Sequence, residues 1–130
     1  RRLIKQSIIN IKYKLNGDVD YSQYVFCALR ALEGHIKYLL KIAGVSASSN
    51  SFSCFNKNSA DQSYYVTARL TDESKREFIN QCYTYYKSHR DTIFHFGDLI
   101  GMTESTRFVQ DKDEADEIIQ KCLELISTNV

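Results

Sequence analysis

The residues with the clearest chemical potential lie in one short stretch, YYKSHRDTIFHFGD, at residues 85–98. Arg90 is a permanently charged, planar hydrogen-bond donor, and His95 follows it five positions later. Asp91 lies four positions before His95, a spacing that places the two on one face of a continuing helical turn. An anion-binding arginine, a histidine that exchanges protons near neutral pH and a carboxylate that orients the imidazole are suited to phosphoryl chemistry.

RNA is the substrate class that these groups fit best. An arginine can hold the scissile phosphate and stabilise the charge that develops in the transition state. A histidine can deprotonate the ribose 2′-hydroxyl or protonate the departing oxygen. Because the RNA supplies its own nucleophile, this chemistry needs no metal and no cofactor. In the alternative interpretation, Arg90, Asp91 and His95 only cap and tie together a helical bundle.

The geometry of a straight helix would keep Arg90 and His95 apart. Positions five apart point about 140° away from each other and are separated by a rise of about 7.5 Å. The two side chains can converge if one helix ends near Arg90 and another begins, with Asp91 as its cap. The chemistry therefore predicts a bend in the chain beside Arg90.

The rest of the chain predicts the helices that would position this stretch. Apolar residues at helical spacing, with suitable start and stop residues, predict helices at residues 3–15, 20–43, 71–89 and 111–126. Thr71 or Asp72 is a suitable cap for the third of these helices. Gly44 is a suitable end for the second.

The segments between the helices predict the fold class. Residues 45–63 are rich in Ser and Asn and are typical of a loop, and the alternation in YYVTARL favours a short strand or hairpin. We therefore expect an all-α bundle of four to five helices, with a short β-hairpin insertion around residues 50–70. Residues 18–130 are predicted to form this domain, and residues 1–17 a lead-in helix that joins it to a further N-terminal region.

The segment RDTIFH, residues 90–95, matches the R-x(4–6)-H signature of HEPN domains, which usually carry Asn, Asp or His directly after the arginine. Together with the long helix FCALRALEGHIKYLLKIAG, the segment HRDTIFHFGD resembles the C-terminal domain of the RnlA/LsoA toxins, over residues 20–128. HEPN domains are small helical bundles, and many are metal-independent ribonucleases. The resemblance implies an endoribonuclease of a bacterial toxin–antitoxin system against phage, with Arg90 and His95 catalytic and Asp91 orienting.

The resemblance also implies partners and a further acidic residue. Active HEPN proteins are typically homodimers with two motifs in a shared cleft, and a host- or phage-encoded antitoxin binds the toxin domain. An acidic residue from another helix joins the site in this family, and Glu33 is the matching candidate. Glu33 shares a helical face with Phe26 and Leu29, where a charge needs a partner, so we expect it to pair with Arg90. A purely structural Glu–Arg or Glu–Lys tie of Glu33 is an equal alternative.

Composition and charge limit the other functions. The 130 residues suffice for one domain, and the formal net charge of +1 argues against a wide polybasic surface. Any contact with RNA must therefore be local or shared with a second subunit. No apolar run is long enough to span a membrane, and the four cysteines, without CxxC spacing, are expected to be free thiols of a cytoplasmic protein. Because Arg1 stands where Met is usual, we expect a processed protein or a piece of a longer one.

Several residues and interpretations remain open. His35 and His89 have neighbours typical of packing, and Tyr83, Tyr85 and Tyr86 fit a helical core better than they fit stacking on RNA bases. No zinc site is expected, because the histidines are not spaced as partner ligands. A non-catalytic interaction or dimerisation module is the main alternative function. A HEPN partner of a nucleotidyltransferase is a third.

Overall fold

The computed structural model describes residues 1–5, 8, 21–46, 52–93 and 112–129 of the chain. The described elements are, in chain order, α1 at residues 2–5, α2 (Ser22–Ile42), β1 (Phe55–Lys57), β2 (Tyr64–Val66), α3 (Glu73–Ile93) and α4 (Lys112–Ser127). The predicted all-α class with a short hairpin is therefore confirmed. Most of the predicted lead-in helix, and the predicted domain boundary after residue 17, lie outside the described residues.

Helix α2 is central because its apolar residues face two neighbouring helices, α3 and α4. Its buried side chains recur three and four positions apart and are Val25, Ala28, Leu29, Leu32, Ile36 and Leu40. The sequence predicts Phe26 on this apolar surface as well. That prediction is wrong, because the Phe26 side chain lines an open cavity and is 46% exposed.

Helix α2 ends where the sequence predicts, at Gly44. The Gly44 backbone has a φ of 76°, a left-handed conformation that glycine adopts without steric cost. Its N–H donates to the carbonyl of Lys41 at 3.1 Å, and the N–H of Val45 donates to the carbonyl of Leu40 at 2.9 Å. These two bonds form a Schellman motif, which satisfies carbonyls that the helix end would otherwise leave without partners.

Helix α3 begins at the predicted cap and continues further than predicted. The backbone N–H of Lys75 donates to the Asp72 carboxylate at 3.1 Å, which identifies Asp72 as the cap. The helix then continues past Arg90 to Ile93, so Asp91 lies inside α3 and the prediction that it caps a new helix is wrong. The part of the predicted bend that would lie between Ile93 and His95 falls outside the described residues and stays a prediction. No Gly or Pro interrupts this segment, and an ion pair of 3.2 Å from Lys87 to Asp91 stabilises its last turns.

The hairpin is bound to α3 through its backbone. Strands β1 and β2 are antiparallel, so part of the predicted loop at residues 45–63 is a strand. Thr84 accepts a hydrogen bond from the N–H of Tyr64 at 2.9 Å and donates to its carbonyl at 3.4 Å. Asn80 accepts from the N–H of Val66 at 2.8 Å. These α3 side chains satisfy the outer edge of β2, which a two-stranded sheet would otherwise leave unpaired.

Helix α4 completes the core with an inward face that consists of Ala115, Ile118, Ile119, Cys122 and Leu125. The four cysteines are free thiols, as the sequence predicts. Burial raises the pKa of Cys82 and of Cys122 to about 12, so these two thiols keep their protons and pack as small apolar groups. No helix within the described ranges is long and apolar enough to cross a bilayer.

Candidate functional site

Two adjoining cavities lie along the contact between α2 and α3, and Glu33, Tyr86 and Arg90 line both of them. The first, which we call the arginine cavity, has a volume of about 230 Å³ and is completed by Phe26, Leu29 and Arg30. The second, which we call the lysine cavity, has a volume of about 220 Å³ and is completed by Lys37, Phe52, Tyr83 and Lys87. The two sequence-predicted residues Glu33 and Arg90 are thus brought to one place, from different helices.

Glu33 is the carboxylate at the centre of this site. Its side chain is only 14% exposed, and it binds Arg30 at 2.7 Å and Lys37 at 3.0 Å. Both partners lie on α2, at the three- and four-residue spacings that place side chains side by side on a helix. The prediction that Glu33 needs a partner is correct, but the prediction that Arg90 is its ion-pair partner is wrong. Neighbours on the same helix already satisfy the carboxylate.

Tyr86 lies beside Glu33 from the opposite helix, and both side chains line the two cavities. Burial, and then the charge of Glu33, raise the pKa of Tyr86 to about 12, so the phenol keeps its proton. The sequence predicts Tyr86 as a core residue, and the ring is indeed buried. Its position beside Glu33 was not predictable from helical spacing, because it depends on how α2 and α3 meet.

Arg90 and Asp91 lie in the last turn of α3. The Asp91 carboxylate binds the guanidinium of Arg90 at 3.2 Å and the ammonium of Lys87 at 3.2 Å. Asp91 therefore holds two basic side chains at the edge of the site and does not cap a new helix. The Arg90 side chain remains 50% exposed, which leaves its guanidinium accessible to a ligand.

His95 lies outside the described residues, and so does any contact between it and Asp91. The other two histidines are placed by packing, as the sequence predicts. The His89 ring packs on Tyr85 with 4.5 Å between the ring centroids. The His35 ring lies 6.3 Å from that of Tyr38, and burial lowers its pKa.

The two cavities concentrate positive charge. Arg30, Lys37, Lys87 and Arg90 supply four basic groups, whereas Glu33 and Asp91 supply two acidic ones. Counted over the described residues alone, four minus two leaves a local surplus of two positive charges, whereas the whole chain carries +1. A surplus of this kind in a partly enclosed cavity attracts anions such as phosphate groups. Among the described residues, no group of three or more His, Cys, Asp or Glu side chains could hold a metal ion.

A larger groove of about 690 Å³ lies on the other side of α3, between that helix and the hairpin. Its lining is largely uncharged and consists of Asn58, Ser63, Tyr64, Tyr65, Glu77, Asn80, Gln81, Thr84, Tyr85 and Ser88. Two of these side chains, Asn80 and Thr84, already bind the backbone of β2. The groove therefore has volume but lacks the charge that an anionic substrate requires.

Comparison with known proteins places this site in a family context. Residues 1–97 match the family model described as RnlA-toxin_DBD: RNase LS, bacterial toxin DBD domain. The mRNA endoribonuclease LsoA of Escherichia coli O157:H7 is 32% identical over 116 residues, which cover 85% of this chain and 32% of LsoA. The chain thus spans about a third of the length of that curated relative.

A solved structure shares the fold. It is the crystal structure of Escherichia coli toxin LsoA in complex with T4 phage antitoxin Dmd. The two structures superpose with a TM-score of 0.73 at 30% sequence identity, over 96% of this chain and 48% of that one.

Proposed function

The chain belongs to the RnlA toxin family, and on this basis we propose that it is a metal-independent, HEPN-type endoribonuclease domain that cleaves mRNA. The observation that carries the proposal is the arginine cavity, which Arg90, Arg30 and the partly buried Glu33 line together. The name of its relative, mRNA endoribonuclease LsoA, supports the choice of substrate. RNA offers the negative charge that the local positive surplus attracts.

The roles of the residues follow from their chemistry. Arg90 binds the scissile phosphate and stabilises the charge that develops on it in the transition state. His95 deprotonates the 2′-hydroxyl or protonates the departing oxygen. Glu33 positions Arg30 on α2, and Asp91 positions Arg90 on α3. Asp91 thus acts on Arg90 in addition to its predicted role of orienting His95, which stays a prediction.

A homodimer would strengthen this site. Two copies of the motif in one cleft would double the local positive surplus of a chain whose net charge is close to zero. This arrangement would explain how a nearly neutral domain binds a polyanion, because the charge would be concentrated where the two copies meet.

Antitoxin docking is a second function of the same surface. The solved relative is a toxin in complex with an antitoxin, which supports this assignment. The 46% exposed Phe26 lines the arginine cavity and offers an apolar contact beside the basic groups. An inhibitor that inserts acidic side chains there would mimic phosphate and block the site. A non-catalytic interaction module would use this surface without cleaving RNA.

A cleavage assay with His95→Ala distinguishes catalysis from simple docking. We expect the variant to lose about 10²- to 10⁴-fold in the rate of RNA cleavage, the usual loss for an acid–base group. Its melting curve should match that of the parent. Cleavage by purified His95→Ala at the parental rate would overturn the catalytic assignment and favour the interaction module.

A further inference from the structure

The lysine cavity holds two basic side chains that the cleavage step does not use. Lys37 comes from α2 and Lys87 from α3, and their side chains are only 31% and 27% exposed. Lysine side chains usually extend into solvent, so two partly buried ones along the same cavity need an explanation.

Each lysine is held in a fixed position. The Lys37 ammonium lies 3.0 Å from the Glu33 carboxylate and 5.3 Å from the centroid of the Phe52 ring, a cation–π contact. The Lys87 ammonium lies 3.2 Å from the Asp91 carboxylate. These contacts reduce the conformational entropy that a binding partner would otherwise have to remove, so the cavity is preorganised for an anion.

The carboxylates do not neutralise the lysines, because each carboxylate also serves an arginine. Glu33 is shared between Arg30 and Lys37, and Asp91 is shared between Arg90 and Lys87. Among the described ion pairs, each carboxylate thus faces two positive charges and can balance one of them. Two monoanionic phosphodiesters would balance the pair of cavities, one in each.

We propose that the lysine cavity binds a second phosphodiester of the RNA strand, next to the scissile one in the arginine cavity. This inference rests on the proposed ribonuclease function. The cavities share Glu33, Tyr86 and Arg90, so one strand can pass directly from the first to the second. Arg30 and Lys37 are seven residues apart on α2, about 10 Å along the helix axis, which is more than a single phosphate can span.

The packing of the aromatic side chains in the lysine cavity favours a phosphate, rather than a nucleobase, as the group that binds there. The Phe52 ring lies 5.0 Å from that of Tyr83 and 5.8 Å from that of Tyr86, between ring centroids. It also lies beneath the Lys37 ammonium. These neighbours surround Phe52, so it positions the lysine and has little surface left for stacking on a nucleobase.

Short substrates of defined length test the inference. The first substrate is a dinucleotide with a single cleavable phosphodiester. The other two are trinucleotides, in which one 2′-deoxy sugar makes one of the two linkages resistant to cleavage. The resistant phosphodiester lies on the 5′ side of the cleavable one in the first trinucleotide and on its 3′ side in the second. For the parent, we expect one trinucleotide to exceed the dinucleotide in kcat/KM by about tenfold, mostly through a lower KM. In Lys37→Gln/Lys87→Gln, this ratio should fall to near one.

The ratio between substrates cancels any general effect of the double variant on catalysis. The matched control is Lys41→Gln/Lys75→Gln, which removes the same charge from α2 and α3 at exposed positions outside both cavities. This control should keep the parental ratio. A ratio that stays near ten in Lys37→Gln/Lys87→Gln, with cleavage intact, would overturn the inference.

Binding separates a failure of this inference from a failure of the proposed function. A fully 2′-O-methylated oligonucleotide cannot be cleaved, and its affinity can be followed by fluorescence anisotropy at several salt concentrations. The loss of one phosphate contact should make the slope of log affinity against log salt shallower by about 0.7 in the lysine variant. If no variant or parent cleaves RNA but this slope changes, the phosphate site holds and the ribonuclease proposal fails. An unchanged slope, together with weaker binding of an acidic protein partner, would instead assign the lysines to protein docking and overturn the inference.

Discussion

Helix α3 carries polar side chains both on the face that meets the hairpin and on the face that meets α2, but the two faces use them differently. Toward the hairpin, Asn80 and Thr84 bind backbone groups of β2. Toward α2, Tyr86, Lys87 and Arg90 line open cavities, and Lys87 and Arg90 pair with the Asp91 carboxylate. The side chains that face the hairpin, the structural set, complete the hydrogen bonding of the fold. Those that face α2, the functional set, lie where the described basic groups outnumber the acidic ones, so positive charge remains there for a ligand.

The volumes of the two regions do not predict which one is functional. The hairpin groove measures about 690 Å³, and the two charged cavities measure about 230 and 220 Å³. The larger space is lined mostly by uncharged groups, and two of those already have backbone partners. The excess of basic groups around Glu33 and Asp91 therefore indicates a binding site better than cavity volume does. It also distinguishes the residues that bind a ligand from those that maintain the structure.

The strongest test of this difference is Arg90→Ala. We expect cleavage to fall by about 10²- to 10³-fold, because the phosphate loses its main electrostatic donor in the transition state. The free energy of unfolding should change by less than about 1 kcal/mol, because the side chain is half exposed and its ion pair is a surface one. RNA cleavage rates and urea unfolding curves measure the two effects. Arg90→Lys should recover only part of the activity, because it keeps the charge but loses the planar fork of donors.

Arg69→Ala is the matched control, since Arg69 is exposed and lies outside both cavities. It should leave cleavage unchanged. If Arg90→Ala instead unfolded at a much lower urea concentration while each folded molecule still cleaved RNA, Arg90 would belong with the structural set.

Thr84→Val should give the opposite result on the other face of the helix. The valine keeps the shape of the side chain but removes the partner of both polar backbone groups of Tyr64. We expect the free energy of unfolding to fall by about 1–3 kcal/mol, the usual effect of leaving a partly buried backbone group unpaired. Urea unfolding measures this loss, and the cleavage rate per folded molecule should stay at the parental value.

Thr67→Val provides the comparison for Thr84→Val. Thr67 is an exposed hairpin residue whose hydroxyl donates to the carbonyl of Cys54 at 3.1 Å. Water can replace that bond, so its loss should affect stability less. Equal effects of the two substitutions would show that Thr84 is not a specific anchor of the hairpin.

The sequence predicts the elements well because their signals are local. Apolar residues at helical spacing define α2, α3 and α4 to within a few residues, and the caps at Asp72 and Gly44 follow from short-range hydrogen bonding. The hairpin is also predicted, although β1 falls in a segment whose Ser and Asn content is typical of a loop. Its pairing depends on β2 and α3, which local composition does not report.

The site is predicted only in part because it depends on how two helices meet. Glu33 follows from a charge on an apolar face, and its ion-pair partners Arg30 and Lys37 were visible at three- and four-residue spacing. Lys87 was likewise visible four residues before Asp91, whereas Tyr86 joins the site only through the packing of α3 on α2, which no sequence spacing reveals. Asp91 was wrongly predicted to cap a new helix, because a chemical requirement rather than a helix-breaking residue motivated that prediction.

Tyr86→Phe examines whether a single hydroxyl links the structural and functional sets. The substitution keeps the buried ring and removes the hydroxyl that lies beside Glu33 in both cavities. If that hydroxyl helps to hold Glu33 in place for Arg30 to bind RNA, the loss of a polar contact of about 1 kcal/mol corresponds to a decrease of about fivefold in kcat/KM. Tyr65→Phe is the control, because Tyr65 lies on the exposed side of β2. Loss of stability without loss of cleavage would place the Tyr86 hydroxyl among the structural groups.

We expect the smallest effect, a change in how stability depends on pH, from a substitution of His35. This residue belongs neither to the structural set nor to the functional set of side chains. Its Nε2 atom is buried and has no hydrogen-bond partner in the described part of the chain. Burial lowers the pKa of His35 from its ordinary value of 6.5, because the charged imidazolium is poorly solvated there. The unfolded chain therefore takes up a proton at a higher pH than the folded one. Stability is fully present above pH 6.5 and is lost as the pH falls toward the folded pKa.

The measurement compares urea unfolding of the parent and of His35→Phe at about pH 7.5 and about pH 5.5, on either side of the unfolded pKa. The aromatic replacement fills the same space without titrating, so the variant should lose less stability on acidification than the parent. Other titrating groups are common to both proteins and cancel in the difference. Equal losses would mean that the folded chain accommodates the imidazolium as readily as water does. His35 would then resemble the solvated basic groups of the cavities rather than an uncompensated polar atom in the core.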